Sequence, residues 1–359
     1  MLIPRREPWP LADAFRADWT RLRRETPGNS IFTDLAWIEA GIARGLPDGH
    51  RPMPLRVTDD GGGTVALALW QEAPLPSRLG RLRTLRTLDT NTQRIPPVLA
   101  GSIDDQVAAL HAIWRALGDR YDVFDLFKQD PLGGRLPEVR DRLAADGIDA
   151  RLCLFNEQPR LVLPNSADEL THLRNRISRK KLRWGTNRLE EQLGPLELVR
   201  LREPADLARE GLPALEARLG DLVRLSWQGR AFPEDRLGAT LAFYHDVVHA
   251  FAPRGQLDVC LLRAAGRDLA FDLSLVEDGV VSMLIGAYDP EWQRFSPGSQ
   301  LLARWSRDSL ERGDRVLEFG GDYLEYKDHW ATERTHSHHL RLFGRTVRGR
   351  LKALLERSS

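Results

Sequence analysis

The sequence predicts an α/β fold in two domains, on three observations. The chain has 359 residues, 42% of them hydrophobic, enough to bury a sizeable core, and the length suggests two domains. Amphipathic helical segments alternate with strand-length apolar runs along the whole chain. Short glycine- and aspartate-containing turns join several of those runs as hairpins.

The first part reads in order as follows. Leu11, Phe15, Trp19 and Leu22 share one face of a helix over Pro10 to Glu25. Thr33 or Asp34 can cap a second helix, Leu35 to Arg44. Strands at Pro54 to Thr58 and Thr64 to Trp70 flank the turn Asp59-Asp-Gly-Gly-Gly63. Leu75 to Pro97, rich in Arg, Thr and Pro, predicts an irregular loop with one strand. Asp104 caps a helix to about Leu117, followed by a strand at Tyr121 to Phe127 and a helix at Val139 to Asp146. A strand at Arg151 to Leu154 leads into Pro159 to Pro164.

The second part opens with helices between Ala167 and Gln192, then a strand at Leu196 to Leu201. Helices follow at Pro204 to Arg218 and Leu237 to Phe251. Three strands come next, Leu257 to Arg263, Asp268 to Val276 and Val280 to Ala287, turning at Gly266-Arg267 and Glu277 to Gly279. A helix from Ser299 to Glu311 stops at Gly313, a residue suited to the left-handed position after a helix. A strand at Arg315 to Phe319, a strand at His338 to Phe343 and a helix at Thr346 to Glu356 complete the chain. The expected domains are 1–160 and 161–359. The two parts echo one another in element order without residue-level repetition.

Charge and cysteine content exclude several classes. A net charge of +1 argues against a polybasic nucleic-acid coat. Two cysteines, Cys153 and Cys260, are too few for a disulfide framework or a zinc site and suggest a reducing compartment. The N-terminal residues carry no long apolar stretch, and the longest apolar runs are strand-length. A soluble cytoplasmic protein is expected. No Walker A sequence, GxGxxG or GxSxG elbow occurs. His336, His338 and His339 lack ligand spacing and read as a solvated strand edge, so no metal is expected.

Chemistry concentrates between Tyr288 and Trp330, at the carboxyl end of a predicted sheet, where open α/β folds bind ligands. Ser296-Pro-Gly-Ser299 turns into a helix whose first amides lack partners, so Gly298 and Ser299 can hold a phosphate, with Arg294 adding charge. An ordinary Ser-Pro-Gly turn is the other reading. Glu318, Asp322 and Asp272 are candidate proton acceptors, or members of structural ion pairs. Lys327 can anchor an anionic substrate, and the Tyr326 phenol can protonate a leaving thiolate. The run Arg174 to Arg188 has seven cations and no acid. It can meet phosphates, a tRNA or a lipid surface, or simply be solvated.

Several of these features occur in the order of a known family. The basic helix comes first, then Ser226-Trp-Gln-Gly229. Ala287-Tyr-Asp-Pro-Glu-Trp292 runs into Ser296-Pro-Gly298, and Glu318-Phe-Gly-Gly-Asp322 precedes Tyr326-Lys327 and Trp330. Ile31 to Trp37 adds an early element. Together they resemble the FemAB-like, CelD-type acetyltransferases of the GNAT superfamily. The resemblance implies tandem GNAT-like α/β domains, each a mixed central sheet flanked by helices. It implies transfer of an acyl group from acyl-CoA, in the first instance acetyl-CoA, to an amine on a sugar or cell-envelope precursor in polysaccharide biosynthesis. Backbone groups at Leu284, Ile285, Gly286 and Ala287 would polarise the thioester, and Arg294, Gly298 and Ser299 would hold the pyrophosphate. The chain departs from the usual phosphate loop at Pro297, where that loop has its first glycine, and at Ser299, its last position. Glu318 stands where many relatives have Asp. FemAB-type relatives use aminoacyl-tRNA, which the basic helix would suit; a non-catalytic scaffold in polysaccharide assembly is a third reading.

Overall fold

Phe15, Trp19 and Leu22 are all buried, as their i, i+4, i+7 spacing requires, and the Trp19 indole donates to the Thr33 carbonyl at 2.8 Å. A computed structural model describes residues 1–43, 45–88, 95–129, 135–173, 175–320 and 325–357. The chain divides into two compact units, Met1–Asn156 with His336–Ser359, and Glu157–Thr335.

The first unit contains β1 (Ile3–Arg6), α1 (Asp13–Glu25), α2 (Leu35–Ile42), β2 (Arg51–Thr58), β3 (Thr64–Ser77), β4 (Gly80–Thr87) and β5 (Leu99–Ala100). It continues with α3 (Ile103–Leu117), β6 (Val123–Gln129) and α4 (Leu136–Ala145), and β7 (Ala150–Val162) carries the chain onward. The second unit holds α5 (Ala167–His172), α6 (Arg176–Leu193), β8 (Glu197–Leu201), α7 (Pro204–Glu210), α8 (Leu212–Leu225), α9 (Trp227–Ala231) and α10 (Glu234–Phe251). It ends with β9 (Leu257–Ala264), β10 (Arg267–Glu277), β11 (Val280–Tyr288), α11 (Pro297–Glu311), β12 (Val316–Glu318) and α12 (Glu325–Asp328). The chain then returns through β13 (Glu333–Phe343) to α13 (Val347–Arg357).

Each unit has a mixed sheet. In the first the order is β1-β2-β3-β4-β6-β13, with β5 beside β3. Only β4 and β6 run parallel among these pairs. Its core gathers Leu55, Val57, Trp70, Leu85, Leu110, Phe124 and Leu340, among others. In the second the order is β7-β12-β11-β10-β9-β8, with β11 and β12 the parallel pair. Cys260, Leu262, Ala270, Leu301, Trp305 and Leu317 pack there between strands and α11. In both units a helix, α3 or α11, precedes the second strand of the parallel pair, as a parallel connection requires.

Local chemistry accounts for the turns. Ala265-Gly266 and Asp278-Gly279 both have two consecutive positive φ values, 48° with 76° and 48° with 71°. That is the two-residue turn whose twist matches antiparallel strands. Asp34 caps α2, its side chain accepting from the Ala36 amide at 2.9 Å.

Several boundaries differ from the sequence expectation. Ser102, not Asp104, caps α3, accepting from the Asp105 amide at 3.1 Å. The segment expected as an irregular loop with one strand contains β4 as that strand, but it starts as a hairpin: β3 runs on to Ser77 and pairs with β4 through Ser77↔Gly80, while residues 89–94 lie outside the described residues. Strand pairing there overrides the Pro and Arg content, because β4 alternates exposed and buried residues from Arg81 to Thr84. The expected second domain ran to residue 359, but 336–359 go with the first unit. The reason is register: β13 pairs antiparallel with β6, Phe343 opposite Val123.

The second unit also buries charge. Arg200, on β8, is almost fully enclosed and meets Asp258 on β9 at 2.6 and 2.9 Å, Asp308 on α11 at 2.6 Å and Asp314 at 3.0 Å. Arg202 reaches the same Asp258 and Asp314 at 2.9 and 2.8 Å. Buried ions persist only when paired and hydrogen-bonded, and here each carboxylate has an arginine. The network fastens α11 and the start of β12 to the sheet.

Candidate functional site

β11 and β12 pair only through Val280↔Val316, Val281↔Leu317 and Ser282↔Glu318. β11 continues for six residues beyond that point, to Tyr288, still paired with β10. One edge of Met283–Tyr288 is therefore free of β12, and a bulge at Leu284 interrupts its register with β10. Two side chains hold the carbonyls of this stretch. The Tyr244 hydroxyl donates to Leu284 O at 3.1 Å, and Gln228 Nε2 to Gly286 O at 3.0 Å. In an extended strand a residue's N–H and C=O point to the same side. The Gly286 amide therefore shares the side of its carbonyl, away from β10.

Gln228 is positioned by local structure. Ser226 caps α9, accepting from the Gln228 amide at 3.2 Å. A Cβ on Gly229 would overlap the Arg224 carbonyl at 1.9 Å, so only glycine lets α9 follow α8 this closely. Neither Gln228 nor Tyr244 was singled out from sequence. The Ser-Trp element was, and its structural role here is to present Gln228 to β11.

Asp272 lies opposite Gly286 on β11 and Cys260 on β9. It is buried and accepts from the Ser274 hydroxyl at 2.6 Å. A Cβ on Gly286 would come within 2.9 Å of Asp272 Oδ2, so that glycine makes room for the carboxylate. Burial, opposed by the Ser274 hydrogen bond and Lys327 and reinforced by Asp258, pushes the Asp272 carboxyl up to about 8. A carboxyl titrating near neutral pH is poised to exchange a proton.

The chain after β12 closes over β11. Gly320 has φ +52°, and a Cβ there would lie 2.6 Å from Met283 O. Lys327 is buried and donates from Nζ to Gly320 O at 2.5 Å. It also interacts electrostatically with Asp272. Glu318, half-buried at the end of β12, accepts from the Ser282 hydroxyl at 3.3 Å. Asp322 lies outside the described residues, as does the Tyr326 side chain. Gly320→Ala forces the loop off Met283, and we expect about 1–3 kcal/mol of destabilisation with a fall in turnover. Urea unfolding and a turnover assay on one preparation read both; wild-type values in each would show the close approach to be dispensable.

At the far end of β11 the chain makes a short 3-10 turn, Pro290–Phe295, and enters α11 through Ser296 in the left-handed conformation, φ 56°. The Ser296 side chain does not cap α11. Gln300 makes the first i→i−4 bond, to Ser296 O at 3.0 Å, and Pro297 has no N–H. That leaves the amides of Gly298 and Ser299 at a positive helix end. A non-glycine residue in the left-handed region is the kind of local strain found where a backbone is shaped for a ligand. A Cβ on Gly298 would find only Tyr288 Cδ1, at 3.6 Å. Arg294 is exposed, its guanidinium 4.4 Å from the Phe295 ring centre. α6 crosses here: a Cβ on Gly185 would meet Phe295 O at 2.7 Å and Gln300 Nε2 at 2.8 Å. This end of the site has donors suited to a diphosphate.

The structure thus groups Asp272, Gly286 and Lys327 around the opened parallel pair. It places Leu284, Ile285 and Ala287 on the same strand and Arg294, Gly298 and Ser299 beyond its end. His336 is exposed, as a solvated edge implies, but His339 is half-buried, its ring 4.9 Å from Phe155 and 5.7 Å from Phe127, with Nδ1 3.6 Å from Asp125. Its place on β13, with β6 on one side and β7 on the other, provides those neighbours.

The second unit is a mixed sheet with an opened parallel pair flanked by helices, and the family comparison gives it a transferase class. Residues 176–328 match the family model described as acetyltransferase (GNAT) domain, so the second unit is similar to the domains of the GNAT superfamily. No curated protein matches the sequence significantly. Among solved structures, FemX is similar over 95% of this chain and 98% of its own, with a TM-score of 0.61 at 13% identity. The C-terminal domain of a putative lysylphosphatidylglycerol synthetase from Agrobacterium fabrum is similar over 96% of each chain, with a TM-score of 0.54 at 12% identity. At these identities the likeness is one of fold. No helix among the described residues is long and apolar enough to cross a membrane.

Proposed function

We propose that the second unit transfers an acyl group, acetyl in the first instance, from acyl-CoA to an amine on a sugar or cell-envelope precursor. The observation that carries this reading is the uncapped start of α11 at the end of the opened strand β11. The amides of Gly298 and Ser299 would hold the diphosphate, and the thioester would lie along Met283–Tyr288. The Gly286 amide is the candidate donor to the carbonyl oxygen as it gains charge. Asp272 takes the proton that the attacking amine loses as its C–N bond forms. The C–S bond breaks, Asp272 releases its proton to solvent, and the leaving thiolate takes up one proton from solvent, so the ionised carboxylate is restored. Lys327 holds the Gly320 loop and favours the ionised form of Asp272.

Acetyl-CoA binding by calorimetry tests the donor. A Gly298→Trp variant should lose binding with its circular dichroism unchanged, because the indole fills the turn. If the wild-type chain binds no acyl-CoA, this reading fails.

A second donor, aminoacyl-tRNA, is favoured by one feature. Arg176, Lys180, Lys181 and Arg183 are exposed on α6, beside exposed Ile177 and Trp184, with no ion pair to any described residue. Such a face suits a phosphate backbone. Transfer from charged tRNA, lost when Arg179, Lys180 and Lys181 are neutralised together, would select it over acyl-CoA.

A further inference from the structure

α10 carries His245-Asp-Val-Val-His249, two histidines one helical turn apart. Their rings lie 4.3 Å apart, centre to centre. Glu216 reaches them from α8. His245 Nδ1 is 2.9 Å from Glu216 Oε1, and His249 Nε2 is 3.2 Å from Oε2. One ligand atom from each residue lies within 4.8 Å of the other two. This cluster is separate from Asp272 and Lys327, which sit on β10 and on α12.

We infer that Glu216, His245 and His249 form a binding site for a divalent d-block cation, with Zn²⁺ the best match. Two imidazoles and one carboxylate are a borderline N₂O donor set that suits Zn²⁺ and its d-block neighbours and does not suit Ca²⁺ or Mg²⁺. Each hydrogen bond in the cluster needs a proton on the ring nitrogen facing the carboxylate. One dication between the three residues replaces both protons and leaves both rings neutral. The His245 and His249 side chains are 56% and 48% exposed, whereas Glu216 is 20% exposed. An ion can therefore enter from solvent, and at least one coordination position stays open to water or an anionic ligand.

The site is placed to do more than hold an ion. Glu216 and His245 also line a cavity of about 170 Å³, with Tyr244, Val248, Leu273 and Ile285 in its wall. Tyr244, next to His245, holds the Leu284 carbonyl. A cation at Glu216 and the histidines ties α8 to α10 at the mouth of that cavity and fixes the turn that carries Tyr244. This inference does not depend on the acyl donor.

The test uses the full chain without an affinity tag and ZnCl₂ alone. Titration calorimetry should show saturable one-to-one binding reversed by a chelator, and the melting temperature should rise by a few degrees with Zn²⁺. His249→Ala and Glu216→Gln should each weaken binding by at least about tenfold. Both substitutions are on the surface of helices, and circular dichroism verifies that the variants fold. Mg²⁺ should produce neither effect. No saturable Zn²⁺ binding overturns the inference. So does affinity that survives Glu216→Gln, since that would be simple chelation by a surface histidine pair.

Discussion

Asp272→Asn should lower acyl transfer by about 10²–10⁴-fold, the usual contribution of a positioned general base. The amide keeps the shape of the carboxyl and can still bond Ser274, so substrate binding should change little. The pH profile separates this from a packing effect. The Asp272 carboxyl titrates near 8, raised by burial, so the wild-type rate should climb as pH rises through that value. The asparagine variant should lack that limb. Lys327→Met, which removes a cation that favours the ionised form, should move the limb to higher pH. Wild-type turnover in Asp272→Asn would remove Asp272 from the mechanism.

The same residue predicts how stability varies with pH. Its folded-state value lies above the ordinary 3.8, so between about 4 and 8 the folded chain keeps a proton that the unfolded chain has lost. Its contribution is fully present below the unfolded value and is lost as pH rises through the folded one. Each pKa unit corresponds to about 1.4 kcal/mol, so even half of the shift is worth about 3 kcal/mol. Urea unfolding at pH 6 and pH 8.5 should show wild type losing stability across that interval, and Asp272→Asn losing less. Parallel slopes for the two proteins would contradict the assignment.

Arg200→Met should destabilise the second unit by about 3–5 kcal/mol, the usual cost of removing one partner from a buried ion pair. Arg200 meets Asp258, Asp308 and Asp314 together, and Asp258 is fully enclosed. Arg202 remains near Asp258 and Asp314, and Arg312 remains 2.6 Å from Asp308, so each carboxylate keeps only its more exposed arginine. Replacing Asp258 by Leu in the same chain should recover part of the loss, because an apolar pair costs less than a lone buried charge. Chemical denaturation reads both. A loss below about 1 kcal/mol would mean that water reaches the network more freely than its burial implies. Because the network also holds α11, weaker acetyl-CoA binding should accompany the loss of stability.

Much of the candidate site is legible in sequence because its elements are local. The turn before α11, the glycines after β12 and Lys327 sit within about forty residues, where strand and helix periods and turn chemistry suffice to place them. The Ser-Trp-Gln-Gly element was visible too, but its partner was not. Gln228 meets Gly286 across 58 positions of sequence, and nothing local specifies that distance. The histidine pair shows the same limit. His245 and His249 stand at helical spacing in plain view, yet their third member, Glu216, comes from another helix.

Helix faces, two-residue hairpins and caps follow from the residues themselves, because each depends on atoms a few positions apart. The sequence therefore yields α1, the α2 cap and the β9-β10-β11 meander without help from packing. Long-range pairing depends on burial that no short window contains. It extended β3 into a hairpin with β4, joined 336–359 to the first unit, and enclosed Asp272 so that its carboxyl titrates near neutrality. A carboxylate reads alike at every aspartate in a sequence. The sheet that removes water around one of them raises its affinity for a proton.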